Sequence, residues 1–119
     1  MASSDSLNTF GAVFTFAIEL ETRLSAYYSD NGDAAMARAA DKRRKKLERV
    51  RRENVVEITL EPITGLDAAD YALDLNDRSA AGQAGAARIA SRFYRDAAPK
   101  INVRAAQRAL ERCGREHEG

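Results

Sequence analysis

The chain has 119 residues, and its 19 lysines and arginines nearly balance its 18 aspartates and glutamates, for a formal net charge of +1. This length is typical of one domain, here residues 1–119, that buries a core without disulfides or a structural metal. The charge balance excludes a global field that would attract nucleic acid or an anionic membrane. The single cysteine, Cys113, cannot form an internal disulfide and predicts a cytoplasmic location.

The most apolar run, residues 10–18, has about half the length that a helix needs to span a bilayer. No basic residue precedes this run and no small-residue cleavage site follows it, so we expect neither a membrane span nor a secretory signal. We interpret the run as part of a buried helix.

A first helix is predicted from about residues 4–6, where serines can cap it, to residues 29–32, where Asn31 or Gly32 can adopt the left-handed terminal conformation. Its apolar positions recur in alternating steps of three and four, which places them on one face. These positions are Leu7, Phe10, Phe14, Ala17, Glu21, Leu24 and Tyr28. Glu21 is the only charged residue on this face, so the sequence predicts a buried acid.

A second helix is predicted from Asp33, a good N-cap, to about Glu61, just before Pro62. Residues 55–59 are mostly β-branched, but no partner strand with a period of two occurs elsewhere, so we interpret them as helical. A charge, Arg43, interrupts the stripe of this helix too. The stripe comprises Met36, Ala40, Arg43, Leu47, Val50, Asn54 and Ile58.

A connection over residues 64–77, with a short helix over residues 66–73, leads to a third helix over residues 78–98. The predicted face of the third helix comprises Ala80, Ala84, Ala87, Ser91, Tyr94 and Ala98, with Ile89, Ala90 and Phe93 beside it. A fourth helix follows Pro99, with Asn102 as its cap, and is expected to fray before Gly119. Its face comprises Val103, Ala106, Leu110, Cys113 and His117.

Four amphipathic helices predict an all-α four-helix bundle made of two helical hairpins with a long crossover connection. The pattern Ser-x-aromatic-Tyr-x-Asp ends both the first helix, at residues 25–30, and the third, at residues 91–96. Two copies of one hairpin explain this repeat, and a chance match over six positions is the alternative.

The stretch from Phe16 to Glu21, followed by Tyr27 and Tyr28, resembles the first helix of rubrerythrin-like members of the ferritin-like superfamily, which carries a glutamate before an aromatic pair. As architecture, the resemblance covers most of the chain, but its motif is confined to the first helix. It implies a bundle core in which two metal ions are held by glutamates of the first and third helices and by Glu-x-x-His pairs of the second and fourth.

Glu21 matches the first glutamate of that family pattern. The other ligand positions fall on residues that depart from the pattern: Arg43, Lys46, Ala87, Gln107 and Leu110. The resemblance therefore implies a degenerate site that lacks ferroxidase and peroxidase chemistry.

A carboxylate buried alone is costly, so we expect Glu21 to pair with Arg43, and with Lys46 beside it, as a structural ion pair. The leading interpretation is a non-catalytic, metal-free, cofactor-free ferritin-like bundle that acts as an oligomeric structural or interaction module. The alternative is a divergent rubrerythrin-like protein that holds iron or manganese through Glu21, Glu57 and Glu61. The sequence leaves the identity of any small-molecule substrate open.

Three further patterns bear on partners or on metal binding. Residues 42–52 contain eight cations in eleven positions, which could bind nucleic acid. Because acids flank and interleave these cations, a solvated or subunit-bridging helix face is the favoured interpretation.

Cys113 and His117 have the spacing of a metal-binding pair, although a histidine at a frayed end is favoured. A homo-oligomer, with a dimer favoured and the first or second helix at its interface, is predicted because apolar residues cover more than one face of the first helix: Phe10, Val13, Phe14, Phe16 and Ile18.

Overall fold

The computed structural model describes residues 7–53 and 63–118. Within these ranges four α-helices are present, as the sequence predicts: α1 (Phe10–Asp30), α2 (Ala34–Glu53), α3 (Ala80–Ala97) and α4 (Arg104–Glu118). Short 3₁₀ helices lie at Ala68–Tyr71 and Ala98–Lys100. The predicted end of the second helix near Glu61, with Asn54, Ile58 and the β-branched run, lies outside the described residues.

The four helices form two hairpins, α1 with α2 and α3 with α4, and the hairpins pack together largely through α2 and α4. The described part of the long connection returns to the beginning of α1. There the amide of Ile63 donates to the carbonyl of Asn8 at 2.9 Å, and the amide of Leu7 lies 3.4 Å from the carbonyl of Leu66. The all-α prediction with two hairpins is therefore confirmed.

The predicted start of the first helix at residues 4–6 is wrong, and its predicted end is confirmed. The hydroxyl of Thr9 caps the helix by accepting from the amide of Ala12 at 3.0 Å. Leu7 is held outside the helix by the backbone contact with the long connection. At the other end, Gly32 adopts the left-handed conformation, with φ of +77°.

The apolar side chains of α1 are covered by the chain's own helices. Phe10, Val13, Phe14 and Ile18 are buried, and Phe16 packs against Phe93, with ring centroids 4.9 Å apart. The structure therefore removes the apolar surface on which the dimer prediction was based, and the oligomeric state stays a prediction.

On α2, Ala40, Arg43, Leu47 and Val50 are buried as predicted, but Met36 is 38% exposed. Among the described residues, Met36 is the only large hydrophobic residue that is exposed. Met36 lies in the first turn of α2, beside the turn between α1 and α2, so the buried stripe begins one helical turn later.

The predicted face of α3 is wrong in its first half. Ala80 and Ala84 are exposed and Ala87 is half-buried. The buried residues of α3 are Ala86, Ala90, Ser91, Phe93, Tyr94 and Ala97. Alanines lie on every side of this helix, so they mark no face, and the packing of the aromatic residues sets which side is buried.

The predicted face of α4 is confirmed for Ala106, Leu110, Cys113 and His117, which are all buried. The predicted fraying is wrong, because the helix continues to Glu118. The helix begins at Arg104, one residue later than a cap at Asn102 would place it. No helix in the described parts of the chain is long and apolar enough to cross a membrane.

α3 and α4 approach closely at Gly114, whereas Gly85 on α3 has room for a Cβ, so alanine should have opposite effects at these two positions. A Cβ on Gly114 would lie 3.0 Å from the Cβ of Tyr94, which cannot move without moving the backbone. We expect Gly114→Ala to destabilise the protein by about 1–2 kcal/mol, despite the higher helix propensity of alanine. At Gly85 the nearest atom is Nη2 of Arg88 at 3.7 Å, so Gly85→Ala should stabilise by about 0.5–1 kcal/mol. Urea unfolding measures both, and equal effects would contradict the close approach.

Candidate functional site

Four polar side chains meet in the centre of the bundle, one from each helix. We call them the Glu21 cluster: Glu21 of α1, Arg43 of α2, Tyr94 of α3 and His117 of α4. Glu21 and Tyr94 are completely buried, whereas Arg43 is 5% and His117 is 8% exposed. Each lies on the buried stripe of its helix, so the periodicity that forms the core also brings the cluster together.

Both oxygens of Glu21 accept hydrogen bonds from protein donors. Nε of Arg43 donates to Oε1 at 2.9 Å, and the hydroxyl of Tyr94 donates to Oε2 at 2.5 Å. Nε2 of His117 also lies 2.8 Å from Oε2. Because an ionised carboxylate can only accept, Nε2 is the ring nitrogen that carries a proton towards Glu21. The carboxylate is thus held from three directions.

The surroundings keep Glu21 ionised. Burial alone raises the pKa of its carboxyl, because it disfavours the charged form. The hydrogen bond and charge of His117, the charge of Arg43 and the hydroxyl of Tyr94 together outweigh burial and leave this pKa below its ordinary value of 4.5. Glu21 is therefore a carboxylate at neutral pH.

Two neighbouring groups are held in their neutral forms. Burial and the charge of Glu21 raise the pKa of Tyr94 well above its ordinary value, so its hydroxyl stays a donor. Burial, with the charge of Glu21 acting in the same direction, raises the pKa of the Cys113 thiol to about 12. A protonated thiol is a poor nucleophile and a poor metal ligand.

The outer side of the cluster is completed by α4. Nη1 of Arg43 donates to Oε1 of Glu116 at 3.1 Å, and the rings of Tyr94 and His117 stack with centroids 5.8 Å apart. Nη2 of Arg43 and Nδ1 of His117 are buried without a hydrogen-bond partner among the described residues.

The structure brings together only part of the predicted site. Glu21 and Arg43 are in contact, but Lys46 is half-buried and is not among the hydrogen-bond or ion-pair partners of Glu21 in the described ranges. Glu57 and Glu61, the other members of the alternative metal site, lie outside the described residues.

The sequence analysis did not predict Tyr94 or His117 as site residues: Tyr94 was placed only on the buried face of the third helix, and His117 was assigned to a frayed helix end. A signal was present in its spacing, since His117 continues the buried stripe of Leu110 and Cys113. Its ring nitrogen contacts Glu21, so its spacing from Cys113 reflects a shared buried face, and the interpretation as a frayed residue is wrong.

The residues do not fit the two-metal centre that the resemblance implies. A guanidinium, not a second ligand, lies 2.9 Å from the carboxylate. At the remaining family positions, Ala87 and Leu110 carry no ligand atom and the side-chain amide of Gln107 donates to the carbonyl of Ala98 at 3.1 Å. Among the described residues, no group of three or more His, Cys, Asp or Glu side chains could hold a metal ion.

The basic run of α2 is partly neutralised by its own helix. Arg44 pairs with Asp41 at 2.8 Å and with Glu48 at 3.0 Å, and Lys45 lies 3.3 Å from Asp41. Arg43 points inward to Glu21. Three of the eight cations of residues 42–52, Arg43, Arg44 and Lys45, are therefore paired with carboxylates within the described ranges.

No protein-family model, curated protein or solved structure matches this chain. The class that the structure defines is an all-α bundle of two packed helical hairpins.

Removal of the buried carboxylate predicts a large loss of stability. In Glu21→Ala, Arg43 keeps its charge in the core and loses the partner that neutralises it, so we expect unfolding to become easier by about 3–5 kcal/mol. Glu19 is exposed on the same helix and serves as the control, with an expected change within about 0.5 kcal/mol for Glu19→Ala. A double-mutant cycle with Arg43→Met should give a coupling above about 1 kcal/mol. Glu21→Ala with the stability of the natural protein would refute the structural ion pair.

The lowered pKa of Glu21 predicts a pH dependence of stability. A carboxyl whose pKa is lower when folded stabilises in full above its unfolded value, and this contribution is lost as the pH falls through the folded pKa. In Glu21→Gln nothing titrates at this position. We expect the difference in unfolding free energy between the natural protein and Glu21→Gln, measured by urea from pH 7 to pH 3, to shrink below about pH 4.5. A difference that is constant over this range would contradict the lowered pKa.

Proposed function

We propose that the protein is a non-catalytic, metal-free bundle of ferritin-like type that acts as a structural or interaction module. In this proposal the Glu21 cluster replaces a metal centre. The observation that carries the proposal is the pairing of a fully buried carboxylate with the guanidinium of Arg43 at 2.9 Å, together with donors from Tyr94 and His117. A fixed cation performs the charge neutralisation that metal ions would otherwise supply.

The ferritin-like part of the proposal is supported by the arrangement of the hairpins. A long connection joins α2 to α3, as a crossover between hairpins requires. The repeated pattern of residues 25–30 and 91–96 falls at equivalent ends of α1 and α3. The second aromatic residue of each copy, Tyr28 and Tyr94, is buried.

Two features support a non-catalytic role: the polar groups of the core are inaccessible to a substrate, and the nearby thiol is protonated. Glu21 and Tyr94 have no exposed surface, so a substrate could reach them only through a rearrangement of the bundle. Cys113 is a protonated thiol at neutral pH, because its pKa is about 12. The cluster and the neighbouring thiol of Cys113 thus present neither an accessible carboxylate nor an activated nucleophile.

We also propose that the protein self-associates, as the sequence predicts. Its interface must involve surface other than the buried apolar residues of α1, because these pack within one chain. Sedimentation at micromolar concentration tests it: a dimer mass supports the oligomeric module, and a monomer mass contradicts it.

Metal analysis separates this proposal from the alternative carboxylate site. After incubation with iron(II) or manganese(II) and removal of free metal, we expect far less than one ion per chain, and no rise in the thermal midpoint on adding metal. Stoichiometric metal that is lost in both Glu21→Ala and Glu57→Ala, but is retained in Glu19→Ala, would replace the proposal with the divergent metal-binding protein.

A further inference from the structure

A basic groove lies between α2 and α4, on the outer side of Arg43. We call it the α2–α4 groove; its volume is about 230 Å³. Its charged and sulfur-bearing lining comprises Lys42, Arg43, Lys46, Arg112, Cys113 and Glu116. The groove is open to solvent on one side and bounded by the Glu21 cluster on the other.

The inner wall of the groove contains an unsatisfied donor. Arg43 is 5% exposed, and it uses Nε for Glu21 and Nη1 for Glu116. Its Nη2 is buried and has no partner among the described residues. Arg43 thus retains donor capacity that its two carboxylate partners do not use.

The charges of the groove favour an anion. Lys42 is exposed and Lys46 is half-buried, and within the described ranges neither takes part in an ion pair. Arg112 is 65% exposed and lies 3.6 Å from Glu116. Counting these three cations and Arg43 against Glu116 and Glu21 gives 4 − 2, a net charge of +2.

An oxyanion already fits the groove. One oxygen of the Glu116 carboxylate accepts from Nη1 of Arg43, and the other faces Nε of Arg112. Guanidinium groups bind carboxylate and phosphate with the same fork of donors. A phosphate has more acceptor oxygens than a carboxylate and can engage the two lysines as well.

We propose that the α2–α4 groove binds a phosphate dianion, either free phosphate or the phosphate of a small monoester. Lys42 and Lys46 contact it from the solvent side and Arg112 from α4, and the charge of Arg43, which lines the inner wall, adds to the attraction. This site goes beyond the structural role proposed for the Glu21 cluster, and the loss of phosphate binding would leave that role unaffected.

Calorimetric titration with inorganic phosphate at pH 7.5 and constant ionic strength tests the site. We expect saturable binding that weakens at least about fivefold in the double variant Lys42→Ala/Lys46→Ala. Lys45→Ala removes a cation of the same helix that pairs with Asp41 and does not line the groove, so its binding should be unchanged. Acetate at the same concentrations should bind more weakly than phosphate. The absence of saturable binding, or equal weakening in Lys45→Ala, would overturn the proposal.

A variant with gained affinity gives a sharper test. Glu116→Gln removes the negative charge that competes for Arg43 and Arg112, so we expect it to bind phosphate at least about fivefold more tightly. Unchanged or weaker binding in a folded Glu116→Gln would overturn the site. A labelled DNA duplex that binds without competition from inorganic phosphate would assign the lysines to nucleic acid instead, and would also overturn it.

Discussion

The burial of one negative charge, on Glu21, constrains how the four described helices pack. A carboxylate without any exposed surface is stable in the core only when donors replace the water that it has lost. Its donors come from α2, α3 and α4, at sequence separations of 22, 73 and 96 residues. The carboxylate is therefore fully satisfied only when both hairpins have formed and docked, so the cluster couples hairpin formation to hairpin docking.

The donors depend in turn on local packing. Tyr94 reaches Glu21 from a part of α3 that lies against α4, where Gly114 allows the two backbones to approach. The stacking of Tyr94 on His117 orients both rings towards the same carboxylate oxygen. A small residue on α4 thus contributes to the geometry of a charge on α1, although the two are not in contact through their side chains.

The sequence was sufficient to predict the half of the cluster that lies in the first hairpin. In α1 and α2 large apolar side chains mark the buried face, so the regular steps of three and four place Glu21 and Arg43 inside. In α3 alanine occurs on every side, and the choice of face follows from where Phe93 packs, which is a tertiary property. The end of α4 contacts the core through His117 and Glu21; the spacing of His117 places it on the buried stripe, but the local sequence does not name a partner 96 residues away. The start of α1 was missed for a similar reason, because several residues there can cap a helix and the pairing of Leu7 with the long connection decides among them.

At position 43, arginine can both neutralise Glu21 in the core and line the α2–α4 groove. Its guanidinium is planar, stays charged, and carries donors that point in different directions. Nε faces the buried carboxylate while Nη1 faces the α2–α4 groove through Glu116. A lysine could neutralise Glu21, but its single ammonium would leave one side without a donor. Because one rigid cation serves both the core and the groove, an anion bound in the groove would lie beside the group that holds the hairpins together. Binding there would stabilise the folded bundle through linkage, since the complete arrangement exists only when the helices are docked.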